Sequence, residues 1–293
     1  MNIFSGLEEI VEKDYPLSEQ TWYGLGGKAD YFIRPQNLNQ LKDVINRCSE
    51  NEIPVYALGN GSNILISDKG LKGAVVKLTG NGFSNKEYKQ DKVTVGAAVP
   101  LSELVLECTK KGLSGLEGLT GIPGSIGGAV KMNSGGRFGD IGTVVEEVTL
   151  MDNRGEVFTK SKPELSFDYR RTNITAPFII DTTIELTESE PERIMRNLKE
   201  VWIYKKNNQP LNTRNTGCIF RNPRGVSAGI LIDRAGLKGE RIGGAVVSEK
   251  HANFIIAEEN CKSEDVLKLI DKIKQQVKKQ FQIDLELEIE IWD

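Results

Sequence analysis

The stretch from Gly115 to Gly139, GLEGLTGIPGSIGGAVKMNSGGRFG, carries nine glycines in 25 residues, against 30 in the whole 293-residue chain. Glycine at that density gives a backbone that can take positive φ or lie against something bulky with no Cβ in the way. Ile122, Ala129, Val130 and Met132 keep the stretch apolar, unlike a flexible linker, which is polar and Ser-rich. A folded, glycine-rich loop of this kind suits a phosphate or cofactor lying along it. A set of tight turns between strands is the competing reading.

Other side chains narrow the chemistry. The four cysteines, Cys48, Cys108, Cys218 and Cys261, are far apart and form no CxxC pair, and His251 is the single histidine. The ordinary zinc ligand sets therefore cannot be assembled, and a Ser-His-Asp triad would have only His251 as its base. No metal is expected. Arg170 and Arg171 are adjacent, a pattern more often found as a solvated surface pair. A cysteine thiol is a sensible proton donor because its reference pKa of ~8.5 is far nearer neutrality than a serine hydroxyl's, although a buried cysteine is commonly only a small hydrophobe. Asp284, Glu286, Glu288 and Glu290 alternate with apolar residues, the usual mark of a wet strand edge.

Lys plus Arg number 38 and Asp plus Glu 41, a net charge of −3. That near balance argues against nucleic acid, which calls for a basic stripe. The N-terminus alternates charged and apolar residues, unlike a signal peptide, and no run approaches the ~18 apolar residues of a membrane span. The expectation is a reduced, soluble, cytoplasmic protein with no membrane partner, a monomer of two or three packed units.

The elements that must position these residues follow from periodicity. Residues 1–20 read as a short helix and connector, with Leu7, Ile10 and Val11 on one side. Leu38, Leu41, Val44, Ile45 and Cys48 recur at helical spacing. Ile53–Leu58 reads as a strand running into Gly59-Asn60-Gly61-Ser62-Asn63, without the GxGxxG of a nicotinamide-binding Rossmann unit. Further strands are expected at Val75–Leu78 and Val93–Ala98. Ser102 is placed to N-cap a helix ending at Gly112. After the glycine-rich loop come strands at Val144–Met151, Glu156–Thr159 and Phe178–Leu186, the first two joined by a turn at Asn153-Arg154-Gly155. Helices are expected at Pro191–Tyr204 and Asp265–Lys279, the latter N-capped by Ser263. A strand is expected at Asn253–Ala257, and the tail Ile283–Trp292 alternates as one continuous strand.

IPGSIGGAVKMNSG resembles the flavin-binding signature of the UDP-N-acetylenolpyruvoylglucosamine reductase family. LGNGSNILISDKGLKG is similar to that family's first pyrophosphate-binding loop, and TWYGLGGKAD, DYRRT, TGCIFRNP and LELEIEIW match further motifs in order along nearly the whole chain. The resemblance implies an α+β fold: a two-lobed FAD-binding domain of the vanillyl-alcohol-oxidase/PCMH type plus a C-terminal α+β substrate domain. It implies lobe 1 at 1–73, joined by the C-terminal strand 283–293, lobe 2 at 74–204 and the substrate domain at 205–282. It also implies the shorter class, without an inserted tyrosine-bearing loop.

The reaction so implied reduces UDP-N-acetylglucosamine enolpyruvate to UDP-N-acetylmuramate through bound FAD, with NADPH as co-substrate. FAD is expected to be non-covalent, because the motif register puts His251 and Cys218 on the substrate side. Its contacts are implied at Gly59, Asn60, Gly61, Ser62, Asn63, Gly121, Ile122, Pro123, Gly124, Ser125, Gly128 and Ala129. Hydride addition to the enolpyruvyl double bond leaves charge delocalised into a carboxylate, which calls for a cation and a proton donor. The resemblance gives the cation to Arg170, with Arg171 the competitor, and the proton donor to Cys218, where the family commonly has serine. It gives polarisation of the carboxylate to Glu288, protonated or sharing a proton so as not to repel the enolate. Leu287 replaces the family's proline there. Tyr169, Asn222, Asn253 and His251 match substrate-side positions, and Lys205, Lys206, Arg214 and Arg221 are candidates for the diphosphate. Two rivals remain: another flavin oxidoreductase of the superfamily, and a non-catalytic nucleotide-sugar sensor, which would be colourless when purified.

Overall fold

A computed structural model describes residues 3–293. Its contacts divide the chain into two compact units, one of residues 1–14, 30–60 and 72–204, the other of 15–29, 61–71 and 205–293.

The first unit has two cores. One forms around a four-stranded sheet in the order Val11–Pro16, Lys28–Ile33, Leu71–Val76, Val55–Ala57. The last two run parallel, with Val55 opposite Ala74 and Ala57 opposite Val76. The amphipathic helix Leu38–Glu50, N-capped by the Asn37 side chain, buries Leu41, Val44, Ile45 and Cys48 in this core. The second core lies on an antiparallel sheet in the order Val157–Ser161, Val145–Met151, Phe178–Glu185, Lys92–Gly96, Lys86–Lys89. Alternation holds at Val93 and Val95, while a register shift between Val145 and Glu147 breaks it so that Val145 and Val148 are both buried; with Ile184 they pack together with helix Leu101–Lys110. The expected turn after Asp152 is present, closed by its carboxylate accepting from the amides of Arg154 and Glu156.

The second unit packs helices Ala228–Arg234 and Ser263–Phe281 with the three-stranded sheet Arg241–Ile242, Ala245–Val247, Ile255–Ala257. The C-terminal strand Glu290–Trp292 runs parallel to Ile64–Ile66.

Several local expectations give way. Of the stretch 1–20, whose first two positions lie outside the described residues, Val11–Pro16 forms a strand between two 3-10 turns rather than a helix, because the Ile10 carbonyl accepts from the Arg34 amide and commits the backbone to a sheet. Pro100, not Ser102, caps Leu101–Lys110; its carbonyl accepts the amides of Glu103 and Leu104. The helix expected to end at Tyr204 runs to Asn208. Ser263 opens its helix rather than capping it, since its amide and hydroxyl are bonded to Asp68, and the carboxylate of Asp265 caps the Lys262 amide instead. The tail is not one strand. Only Glu290–Trp292 pairs in the C-terminal strand, and Leu287 makes an isolated bridge to Phe220.

The tail nevertheless buries Leu285 and Ile289 in the second core. Leu285→Ala should lower unfolding stability by about 2–5 kcal/mol, the range for truncating a buried leucine. Asp284→Ala, on an exposed ion pair with Lys278, should change it by less than about 0.5 kcal/mol. Urea denaturation followed by circular dichroism checks both, and equal midpoints would contradict the burial.

Candidate active site

The glycine-rich loop builds one wall of a cleft in the first unit. The Gly127 amide donates to the Ala97 carbonyl at 2.9 Å, and that of Ile126 to Val99 at 2.9 Å, so the loop lies along residues 97–101 like an added strand. A Cβ on Gly127 would stand 2.9 Å from the Ala97 Cβ, and one on Gly59 would stand 3.0 Å from the Ser125 hydroxyl. Glycine is needed at 127 because the backbones approach too closely for a side chain. Ser125 caps the short helix Ile126–Lys131 through its hydroxyl, which accepts from the Gly128 amide at 3.3 Å.

The cleft, of about 310 Å³, is lined by residues 57–60, 76–80, Ser84, Ala97, Ala98, Ser125, Gly127, Gly128, Lys131 and 177–179. Of the expected cofactor residues, Gly59, Asn60, Ser125 and Gly128 line it. Gly121, Ile122, Pro123 and Gly124 form the half-buried turn leading in. The Ala129 side chain instead points into the core, 3% exposed. Gly61, Ser62 and Asn63 fall in the second unit, where Asn63 donates to the Glu288 carbonyl at 3.1 Å.

Two cleft lysines were not singled out by the sequence. Burial, with the Arg34 charge nearby, holds the Lys77 ammonium below its ordinary pKa. Lys131 donates to the carbonyls of Ile174 at 2.7 Å and Ala176 at 3.2 Å, tying helix Ile126–Lys131 to the segment that continues into the 177–179 wall. A narrow cleft with backbone exposed by glycine and two cations fits FAD, whose pyrophosphate is anionic. Gly59, Asn60, Ser125, Gly127 and Gly128 would hold the cofactor, with Lys77 and Lys131 offsetting its charge; bound there, FAD supplies the hydride chemistry.

Arg170 occupies the tip of a tight hairpin, Phe167–Asp168 paired with Arg171–Thr172. Its φ is +55°, a left-handed conformation that side chains rarely adopt. Its guanidinium is half-buried and donates to the carbonyls of Gly135 at 2.6 Å and Asn133 at 3.4 Å, while Arg171 is exposed. The neighbouring Tyr169 ring lies 5.4 Å from the guanidinium carbon.

In the second unit Cys218 and Glu288 sit on paired segments. The Glu288 amide donates to the Ile219 carbonyl at 2.8 Å, and the Arg221 amide to Glu286 at 2.9 Å. Among the four tail acids, Asp284, Glu286 and Glu290 are exposed and Glu288 is half-buried. The asparagines expected at the substrate shape this segment. Asn253, 2% exposed, accepts from the Phe220 amide at 3.0 Å and donates to the Phe220 carbonyl at 2.7 Å. Asn222 accepts from the Ala228 amide at 2.9 Å, at the start of helix Ala228–Arg234. His251, pushed below its ordinary pKa by burial, stacks edge-on against Phe254 and accepts the Asn253 amide at 3.3 Å.

Of the diphosphate candidates, Arg214 clamps the carbonyls of Ala257 and Glu258, Arg221 lies 3.9 Å from Glu286, Lys205 is buried and Lys206 exposed. Burial raises the pKa of the Cys48 thiol to about 11, of Cys108 to about 12 and of Cys261 to about 11, leaving Cys218 as the half-exposed thiol. Among the described residues no His, Cys, Asp and Glu cluster could hold a metal, and no helix is long and apolar enough to cross a membrane.

The fold and cleft define an FAD-dependent oxidoreductase of the vanillyl-alcohol-oxidase/PCMH class. Residues 29–161 match an FAD binding domain, and residues 209–292 match the C-terminal domain of UDP-N-acetylenolpyruvoylglucosamine reductase. The Syntrophus aciditrophicus protein named UDP-N-acetylenolpyruvoylglucosamine reductase is 41% identical, over 95% of this chain and 90% of its own. The crystal structure of UDP-N-acetylenolpyruvylglucosamine reductase from Thermus caldophilus superposes with a TM-score of 0.83 at 39% identity, covering 97% of this chain and 99% of that one. The glucose dehydrogenase Phl p 4.0202, 15% identical with a TM-score of 0.52, shares the fold over 65% of this chain and 45% of its own. This chain belongs to the UDP-N-acetylenolpyruvoylglucosamine reductase family.

Gly127→Ala should weaken FAD binding. Overpacking against backbone costs about 1–3 kcal/mol, so the FAD dissociation constant should rise roughly tenfold or more. Fluorescence titration of the apoprotein measures it, and wild-type affinity would show that the loop is not the cofactor wall.

Proposed function

We propose that this chain reduces UDP-N-acetylglucosamine enolpyruvate to UDP-N-acetylmuramate with NADPH, as a cytoplasmic monomer. Residues 1–73, with the tail 283–293, and 74–204 serve as the two FAD-binding lobes, and 205–282 as the substrate domain. The observation that supports the catalytic assignment is the bond from the Glu288 amide to the Ile219 carbonyl, one residue from the half-exposed thiol, with Glu288 half-buried where Asp284, Glu286 and Glu290 are exposed.

Arg170 binds the enolpyruvyl carboxylate. Its charge is permanent and its planar fork matches a carboxylate, and the carbonyls of Asn133 and Gly135 fix the plane of that fork. Glu288, carrying or sharing a proton, polarises the same carboxylate. The Cys218 thiol delivers the proton to the carbon next to it, and Asn253 holds the thiol's segment through Phe220. Tyr169, Asn222 and Arg214 are the remaining substrate-side residues, with Arg214 acting through the 257–258 backbone it clamps.

Cys218→Ala should slow turnover by roughly 10²–10⁴-fold, the usual contribution of a general acid, with FAD reduction by NADPH nearly intact. Cys218→Ser should recover most of the loss. Alkylation of the wild type should mimic the alanine variant, substrate should protect against it, and the three deeply buried thiols should stay unmodified. Stopped-flow kinetics separates the two half-reactions. Substrate-dependent reoxidation of Cys218→Ala at the wild-type rate would show that the thiol only packs.

A further inference from the structure

We propose that Asn133 is a positioning residue for the reaction, fixing the Arg170 guanidinium for the substrate carboxylate. The inference rests on the role assigned to Arg170 above. Asn133 ends helix Ile126–Lys131 in a left-handed conformation, φ +43°, and its amide and that of Ser134 bond back to Val130 and Ala129 at 3.1 and 2.8 Å. This is a Schellman closure, and glycine is the residue that such a position prefers. The surrounding stretch uses glycine freely, yet here it keeps an asparagine, 3% exposed.

The side chain explains the choice. Its Nδ2 donates to the Asp168 carbonyl at 2.9 Å, at the base of the Arg170 hairpin, and its Oδ1 accepts from the Gly142 amide at 3.0 Å. Its own carbonyl accepts from the Arg170 guanidinium at 3.4 Å. One residue thus grips the hairpin backbone with its side chain and the hairpin's tip side chain with its main chain. A third tie runs alongside, the Thr172 hydroxyl donating to the Lys131 carbonyl at 3.1 Å. Arg170 cannot hold its own place by local preference, because its φ of +55° is one that arginine avoids. The contacts that impose that conformation are external to it, and Asn133 supplies two of them.

The test uses the full-length, FAD-loaded enzyme with Asn133→Gly, which keeps the left-handed turn and the main-chain carbonyl, and Asn133→Asp, which replaces the donor to Asp168 with a carboxylate oxygen. Turnover per bound FAD should fall roughly 10–10²-fold in both, the scale of a small misplacement of a catalytic group. The FAD dissociation constant should stay within about twofold, and amide hydrogen exchange should quicken at residues 168–172. In an Arg170→Met background, Asn133→Gly should cause no further loss, because the two act as one unit. Wild-type turnover per FAD in Asn133→Gly would overturn the proposal, as would a full additional loss in the double variant. Failure of both single variants to bind FAD would make Asn133 a structural cap and overturn it equally. Wild-type turnover in Arg170→Met alone would remove the Arg170 assignment, and the inference with it.

Discussion

The first unit depends on a contact that leaves no room for side chains. Gly127 lies against Ala97 so closely that a single added methyl would stand 2.9 Å from its neighbour's. Because the backbones touch, the Gly127 amide reaches the Ala97 carbonyl and the loop extends the edge made by residues 97–101. The next turn of chain can then bury Ile126, Ala129 and Val130 in the core while Ser125, Gly127 and Gly128 face the cleft. A helix of only six residues has little stability of its own. It is held by that buried face and by closure at both ends, through the Ser125 hydroxyl and the Asn133 turn. The position of Asn133, and with it the anchorage of Arg170, therefore follows from how tightly glycine lets the chain pack two turns earlier.

The second unit solves a related problem by pairing instead of close approach. The segment bearing Cys218 belongs to no regular strand, yet its backbone is bonded on both sides. Glu288 and Glu286 frame it from the tail, and Asn253 frames it from the 251–254 turn with main chain and carboxamide together. Burying an asparagine is costly unless its donor and acceptor are satisfied, and both are satisfied here by Phe220. That makes the carboxamide a rigid spacer. Among the acids at 284, 286, 288 and 290, Glu288 alone is half-buried.

Much of this was legible in the sequence, for physical reasons that differ by element. Helix Leu38–Glu50 and four strands of the five-stranded sheet, all but Lys86–Lys89, declare themselves because one face is buried and periodicity reports burial. The glycine loop is legible because at Gly118, Gly127 and Gly135 a Cβ would stand less than 3.0 Å from a neighbour. Residues 1–20 were not, because Leu7, Ile10 and Val11 satisfy a helical spacing while the Arg34 amide, distant in sequence, takes the Ile10 carbonyl. Ser263 looked like a cap and its hydroxyl is engaged by Asp68, almost 200 positions away. Lys77 and Lys131 were missed because a lone lysine carries no pattern; only the cleft gives them meaning. Asn133 had a signal, an asparagine directly after a helix and before Ser-Gly-Gly, which is the chemistry of a left-handed helix end.

The cysteines show why residue type alone could not settle the chemistry. Four thiols with the same intrinsic acidity occupy the chain, and burial separates them. Desolvation disfavours the thiolate at Cys48, Cys108 and Cys261, where helix faces and core packing shut out water. A donor needs access to the atom it protonates and a backbone that holds it still. Cys218 has partial exposure, and its neighbours at 219–221 are pinned by three main-chain bonds from Asn253, Glu286 and Glu288. Gly217 just before it takes φ +79° with nothing near the place a Cβ would fill, so the turn itself, not crowding, requires glycine there. A left-handed turn on one side and a paired segment on the other leave the thiol little choice of position. A serine hydroxyl in the same frame would be equally constrained, so Cys218→Ser needs no change in the surrounding fold.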